Sequence, residues 1–256
     1  MAERSVRAQG MLVSLMLVLL VLAGCSEDRS PDATAAQAAA QPGAPEAVAL
    51  LPRALLFGNP SRFQGRISPD GRWLSWLAPV AGVLNVHVAP AADPAAVRVL
   101  TEDRGRGINR HFWSYDSESI LYLQDQGGNE NTHLYAVPAG GGAVQALTPV
   151  GDAVRVVVQA LSPRLPGSVL IGMNDRDSSL FDLHRIDLGT GERTLVAENP
   201  GFNDWAVDLN LLPQAAMRAR PGGGSEVLRR EADGTWTPVA TIPAEDTLTT
   251  GLLSMT

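Results

Sequence analysis

Short apolar stretches separated by turn residues make up the chain from Ile67 onward. Pairs of apolar residues separated by one intervening residue recur at offsets of 46 and 49 residues, as Leu74/Trp76, Ile120/Tyr122 and Val169/Ile171. This alternation predicts short, half-buried β-strands, and no stretch keeps a 3.6-residue apolar period long enough to predict a helix. A second, more polar strand is predicted in each unit, centred on Val86, Leu134, Leu183 and Val227.

Turn sequences recur with the same period. Units open with turns at residues 68–71, 114–117 and 162–164, and glycine-containing turns near their ends lie at 140–142, 189–191 and 233–234. In the first opening turn Pro69 presets φ, Asp70 can accept a hydrogen bond from the backbone ahead of it, and Gly71 tolerates positive φ.

A unit of about 40 to 50 residues with about four short strands is typical of a β-propeller blade. An irregular β-sandwich is the alternative, but three matched features at one period favour the propeller. We therefore predict an all-β, incomplete β-propeller of about four blades within residues 50–256. The blades are placed near 62–103, 104–152, 153–201 and 202–246. In the last unit the sequence Leu211–Gln214 is interpreted as a degraded first strand, and residues 248–256 as the opening strand of a fifth blade.

The N-terminus has the pattern of a bacterial lipoprotein signal. Arg4 and Arg7 precede an apolar run of twelve residues, Met11–Leu22, which is too short to span a bilayer as a stable helix. The sequence Leu22-Ala23-Gly24-Cys25 resembles a lipobox, so residues 1–24 are predicted to be a signal peptide and Cys25 the lipidated residue. An ordinary secretory signal with a chance cysteine, or a buried apolar segment, is the alternative.

The segment after the cysteine is predicted to be a disordered tether. Residues 25–49 are rich in alanine and proline and contain no aromatic residue, so they cannot bury enough apolar area to order themselves. By analogy with lipoprotein sorting, Ser26 indicates the periplasmic face of the outer membrane. We thus expect an exported protein whose membrane partner is reached through its lipid anchor.

Charge and cysteine content exclude two classes of function. The chain has 27 acidic and 20 basic residues and a formal net charge of −7, with no basic run, so nucleic acid is not an expected partner. Cys25 is the single cysteine. A disulfide or a thiol catalyst within the mature domain is therefore excluded.

Four stretches resemble the prolyl oligopeptidase family of serine peptidases, close to its bacterial dipeptidyl-peptidase and acylaminoacyl-peptidase-like members. They comprise residues 56–71, residues 80–88, residues 103–135 and residues 174–202. The most specific sequences within them are DRGRGI at 103–108 and LYLQDQGGNENTHLY at 121–135. The resemblance implies an N-terminal propeller that limits access to a C-terminal α/β-hydrolase domain, and peptides as substrates.

The residues that would carry hydrolase chemistry are not found in the sequence. No serine has glycine at both the −2 and +2 positions, as the usual nucleophile elbow requires. We therefore expect the hydrolase domain to be absent from this chain, the chain to be truncated before it, and the chain to be inactive alone, with no catalytic residue and no cofactor.

The remaining polar candidates are interpreted mainly as structural. His87, His133 and His184 occupy comparable positions of successive units, and His111 is placed in a turn between blades. The acidic loops at 125–131 and 175–177 contain oxygen ligands suited to Ca²⁺, but turns are rich in Asp and Asn for backbone reasons, so no metal site is assigned. By resemblance to dipeptidyl peptidases, Glu130 is a candidate for binding the amino terminus of a peptide.

A second function remains open from the sequence. A stand-alone periplasmic β-propeller lipoprotein would act as a binding or scaffold module through its blade edges and central channel. Four-bladed propellers exist, so four units can in principle close into a ring.

Overall fold

The structure is a computed structural model that describes residues 50–58 and 60–253. The described elements are β-strands apart from one five-residue helix, α1 (Arg53–Phe57), and a 3-10 turn at Ala244–Asp246. The strands all belong to a compact unit that begins at Phe57. The prediction of an all-β fold is confirmed.

The described strands form four antiparallel sheets of four strands, each in chain order, which we call blades 1 to 4. Blade 1 contains β1 (Phe63–Ile67), β2 (Trp73–Val80), β3 (Val83–Pro90) and β4 (Arg98–Val99). Blade 2 contains β5 (His111–Trp113), β6 (Ser119–Gln124), β7 (His133–Pro138) and β8 (Gln145–Ala146). Blade 3 contains β9 (Val156–Leu161), β10 (Ser168–Asp177), β11 (Leu180–Asp187) and β12 (Arg193–Ala197). Blade 4 contains β13 (Asp204–Val207), β14 (Pro213–Ala219), β15 (Ser225–Arg230) and β16 (Trp236–Ile242). Four such sheets in succession are blades of a β-propeller, as the repeat predicted.

Neighbouring blades are joined by apolar clusters, which we call seams 1–2, 2–3 and 3–4 after the blades they join. Successive residues of one strand point to opposite faces of its sheet. Ile120 of β6 therefore packs into seam 1–2, whereas Leu121 packs into seam 2–3. In the same way Ile171 of β10 packs into seam 2–3 and Leu170 into seam 3–4. The central strands of blades 2 and 3 are thus buried on both faces.

The turns between the first and second strands hold adjacent blades together at one end of the sheets. The Asp70 N–H donates to Ser117 Oγ at 3.1 Å, and the Ser162 hydroxyl donates to the Leu209 carbonyl at 2.5 Å. Within the first turn the Ser68 hydroxyl donates to Asp70 at 2.6 Å. This bond is the main reason that the pKa of Asp70 is lowered to about 2.

Two sequence interpretations of the last blade differ from the structure. The degraded first strand expected at Leu211–Gln214 coincides only with the start of β14, at Pro213 and Gln214, because Asp208–Leu212 forms the turn between β13 and β14. Leu211 has φ of 60° and is fully buried, so its apolar side chain fills seam 3–4 from a turn. The segment expected to open a fifth blade forms no strand over its described part, residues 248–253.

Candidate functional site

One end of the propeller carries the loops between second and third strands together with the linkers between blades, and we call it the linker face. The linker from blade 1 to blade 2 contains the sequence DRGRGI, residues 103–108. The Asp103 carboxylate accepts hydrogen bonds from the N–H groups of Gly105 and Gly107, at 3.3 and 2.5 Å. Gly107 has φ of +84°, and a Cβ there would lie 2.9 Å from the Leu84 nitrogen. The backbone of this loop is therefore fixed, and it projects Arg104 and Arg106 into solvent.

Glu130 lies on the linker face, in the loop between β6 and β7. Its N–H donates to Asp125 Oδ2 at 3.1 Å, and its backbone has φ of 61°. The neighbouring Asn131 donates from Nδ2 to the Asp152 carbonyl at 2.7 Å, which ties the loop to the linker after blade 2. The Glu130 side chain is exposed and forms no salt bridge with the described residues. The structure thus presents this carboxylate from a loop held by several hydrogen bonds.

A basic group lies beside the same loop. Arg106 Nη1 is 4.0 Å from Asp125 Oδ2. Its guanidinium fills the space that a side chain at residue 128 would need, since a Cβ on Gly128 would lie 2.1 Å from Arg106 Nη1. Arg106 of the sequence DRGRGI and Asp125 of the Glu130 loop, which are 19 residues apart in the chain, are therefore brought together at one edge of the linker face.

The third strand of each of the first three blades has, at or near its start, a buried polar residue that holds the linker. Asn85 Oδ1 accepts hydrogen bonds from the Thr101 hydroxyl and the Asp103 N–H, at 2.9 and 2.7 Å. In blade 2, His133 Nδ1 lies 3.2 Å from the Thr148 carbonyl oxygen. In blade 3, Asp182 Oδ1 accepts from the Asn199 N–H at 2.6 Å. The sequence analysis missed this repeated feature because three different residue types fill the equivalent positions.

Blade 3 adds an ion pair to this arrangement. Arg176 donates to both oxygens of Asp182, from Nε and Nη2, at 2.7 Å each, and also to the Asn199 carbonyl at 3.1 Å. Asp182 is 2% exposed. The hydrogen bond from Arg176 is the largest cause of its lowered pKa. The carboxylate is therefore charged at neutral pH and neutralised by an arginine that reaches it from the C-terminal end of β10.

The acidic loops that were considered for calcium are occupied by other interactions. Asp175 lies 3.2 Å from Arg193 Nη1, and Asp177 accepts a hydrogen bond from the Ser179 N–H at 2.8 Å. Among the described residues, no group of three or more histidine, cysteine or acidic side chains is placed to hold a metal ion.

A serine and a histidine are hydrogen-bonded between blades 1 and 2. Ser75 Oγ lies 2.9 Å from His111 Nε2. The distance suits a nucleophile and its base, but Ser75 is 1% exposed and His111 is 0% exposed. His111 Nδ1 has no hydrogen-bond partner, so no carboxylate orients the ring. The pair therefore lacks both substrate access and the third member of a triad.

The placement of His111 corrects the sequence analysis. It was expected in a turn between blades, whereas it is the first residue of the inner strand β5. His87 and His184 do occupy equivalent positions, opposite Trp76 and Ile171 of the second strands. His133 lies two residues earlier in this register, opposite Gln124.

The predicted lipidation site Cys25 lies outside the described residues, as do the signal peptide and the whole of the predicted tether, residues 25–49. None of the helices in the part of the chain that the structure describes is long and apolar enough to cross a membrane.

Comparison with known proteins identifies clear relatives. No protein-family model matches the chain. It is 46% identical over 220 residues to dipeptidyl aminopeptidase BIII of Pseudoxanthomonas mexicana, which covers 84% of this chain and 32% of that protein. It is 27% identical over 214 residues to dipeptidyl peptidase family member 6 of Caenorhabditis elegans, covering 78% and 29%. The chain thus spans about a third of the length of these relatives.

Among solved structures, the β-propeller domain of the trilobed protease from Pyrococcus furiosus aligns with a TM-score of 0.48 and 14% identity, over 76% of this chain and 62% of that one. The fold assignment rests on the four sheets themselves. The chain is a β-propeller homologue of part of a dipeptidyl aminopeptidase, and its resemblance to the prolyl oligopeptidase family is confirmed.

Proposed function

We propose that this chain is the substrate-gating β-propeller of a membrane-anchored serine peptidase of the prolyl oligopeptidase family, whose hydrolase domain lies outside these 256 residues. The observation that carries the proposal is the 46% identity to a dipeptidyl aminopeptidase along 84% of the chain. The chain alone is expected to be inactive, because its serine and histidine pair is buried in seam 1–2.

The linker face supports the gating role. It combines an exposed carboxylate, Glu130, with exposed arginines on a fixed loop, so it offers partners for both charged ends of a peptide. Removal of two residues at a time from an amino terminus is favoured by a group that recognises the terminal ammonium and so fixes the distance to the cleaved bond. A carboxylate is the side chain that does this by a charge-assisted hydrogen bond.

The test is the substitution Glu130→Gln in the complete reading frame that encodes this chain. The KM for dipeptidyl substrates with a free amino terminus should rise about 10-fold or more, because a hydrogen bond between charged groups is worth about 1.5–3 kcal/mol. The KM for substrates with an acetylated amino terminus should not change. Initial rates with matched chromogenic substrates measure both values.

Glu118→Gln is the matched control. Glu118 is also exposed and lies at the opposite end of β6 from the Glu130 loop, so its loss should leave both KM values unchanged. A complete protein that hydrolyses no peptide would contradict the proposed function. Peptide hydrolysis with equal effects of the two substitutions would contradict only the role of Glu130.

Membrane anchoring through Cys25 is part of the same proposal. A thioether to a diacylglyceryl group requires the cysteine thiol, so Cys25→Ser should abolish incorporation of labelled palmitate and move the protein from the membrane fraction to the soluble periplasmic fraction. Ser26→Ala, which leaves the thiol in place, should retain the label. Continued labelling of the Cys25→Ser variant would show that the lipid is attached elsewhere.

A further inference from the structure

Seam 1–2 contains a buried, titratable hydrogen bond between two blades. The His111 ring in β5 and the Ser75 hydroxyl in β2 are 36 residues apart in sequence and both are inaccessible to water. The other side-chain hydrogen bonds between these blades, such as Gln64 Nε2 to the Asn109 carbonyl at 3.0 Å, are exposed or only partly buried. The Ser75–His111 bond therefore differs from them in having no access to solvent.

The surroundings of His111 favour its neutral form. The ring has one partner, since Nδ1 is buried without a hydrogen bond. A second proton on the ring would leave a buried N–H unsatisfied. The charged group that faces the ring from blade 1 is the Arg66 guanidinium of β1, which is a cation. The residue opposite His111 in blade 2 is Tyr122 of β6. Tyr122 stays neutral because the pKa of its hydroxyl is raised to about 12. Burial first, and Arg66 second, lower the pKa of His111 to about 4.

Another buried polar atom without a partner lies in the same seam. Trp113 Nε1, from the cluster that forms seam 1–2, has no hydrogen-bond partner. In contrast, seam 3–4 contains no histidine, and no unpaired buried atom of the described residues belongs to it. It is formed by apolar side chains, and across it Gln159 donates to the Trp205 carbonyl at 3.2 Å.

We propose that seam 1–2 is an acid-sensitive latch, in which protonation of His111 places a charge that the dry seam cannot solvate and so lets blade 1 separate from blade 2 while blades 3 and 4 stay packed. A charged imidazole is tolerated once water reaches the seam, so protons bind to the open state. Because the pKa of His111 in the closed state lies below its ordinary value, the seam is most stable above about pH 6.5 and loses stability as the pH falls towards 4.

Hydrogen–deuterium exchange of the full chain at pH 7.5 and pH 5.0, corrected for intrinsic exchange rates, tests the proposal. With a pKa of 6.5 in the open state and about 4 in the closed state, proton linkage makes opening about 30-fold more frequent at pH 5.0 than at pH 7.5. Amides of β2, β3 and β5 should lose protection by this factor, and amides of β14 and β15 should change far less.

His111→Gln removes the titrating group. In this variant the amides of blade 1 should lose protection by about 2-fold or less between pH 7.5 and pH 5.0. His87→Gln is the matched control, because His87 packs against Trp76 on the other face of blade 1, and this variant should keep the full response. An equal response of wild type and His111→Gln, or equal loss of protection in blades 1 and 4, would overturn the latch.

A measurement on the wild-type chain keeps the proposal testable if His111→Gln does not fold. Imidazole resonances followed by NMR between pH 7.5 and the onset of unfolding should show His111 remaining neutral well below pH 6.5. A His111 ring that titrates near pH 6.5 in the folded chain would contradict the proposal, since protonation would then cost the closed seam nothing.

Discussion

Replacing Trp205 with alanine is expected to lower the free energy of unfolding by about 3–5 kcal/mol, because it removes the largest buried side chain in seam 3–4. Trp205 lies on the inner strand β13 and is 7% exposed. Its ring meets those of Phe202 and Trp236 edge to face, with centroids 5.1 and 5.8 Å away, and these two rings also meet each other at 4.9 Å. The indole therefore connects the inner strand, the preceding linker and the outer strand β16 of blade 4.

Urea denaturation followed by far-ultraviolet circular dichroism measures this loss without relying on tryptophan fluorescence. Val239→Ala is the matched control on β16, because Val239 is 53% exposed and its truncation should change the free energy of unfolding by less than about 0.5 kcal/mol. Equal effects of the two substitutions would show that the aromatic cluster does not hold blade 4 to blade 3.

Replacing Arg176 with methionine is expected to destabilise blade 3, because it leaves the buried carboxylate of Asp182 without its ion-pair partner. The Asn199 N–H would remain as a donor, but the two hydrogen bonds from Arg176 would be lost. Methionine keeps much of the length of the side chain, so the loss is mainly that of charge and hydrogen bonds.

The pH dependence of this loss has a definite sign. The folded-state pKa of Asp182 is lowered from 3.8, so the pair contributes stability above that pH and loses it as the pH falls further. The difference between wild type and Arg176→Met should therefore be largest near neutral pH and become smaller below about pH 4. Urea denaturation at a series of pH values measures it.

Arg218→Met provides the comparison in blade 4. Arg218 pairs with Glu226 at 2.7 Å, and the two arginines are similarly exposed, but the Glu226 side chain is 21% exposed whereas that of Asp182 is 3% exposed. An exposed pair of this kind contributes about 0–1 kcal/mol. If Arg176→Met cost no more than Arg218→Met, burial of the Asp182 carboxylate would not make its ion pair a determinant of stability.

The sequence was sufficient to predict the repeat because each blade encodes its own strands. The alternation at Leu74/Trp76, Ile120/Tyr122 and Val169/Ile171 reports burial in the second strand of the first three blades, where β2, β6 and β10 were found. Local periodicity failed where a strand was too short to show it. The strand β5 has three residues, so His111 was placed in a turn.

The candidate site was likewise predicted only in part from the sequence. The sequence singled out Glu130 by resemblance to a family, and the structure places it on an exposed loop of the linker face. The assignment of a peptide to that carboxylate stays a prediction. The neighbouring Arg106 was quoted only as part of a motif, since its approach to Asp125 depends on how the linker crosses from blade 1 to blade 2.

The sequence by itself determined the class of fold, the four-unit repeat and the family resemblance, because these depend on short-range patterns of apolar and turn residues that recur along the chain. The tertiary structure alone decided which residues meet between blades. Ser75 with His111, Arg106 with Asp125, and Phe202 with Trp236 are contacts between separate loops and strands. Their formation depends on how packed sheets are aligned, and no local period of the sequence encodes that alignment.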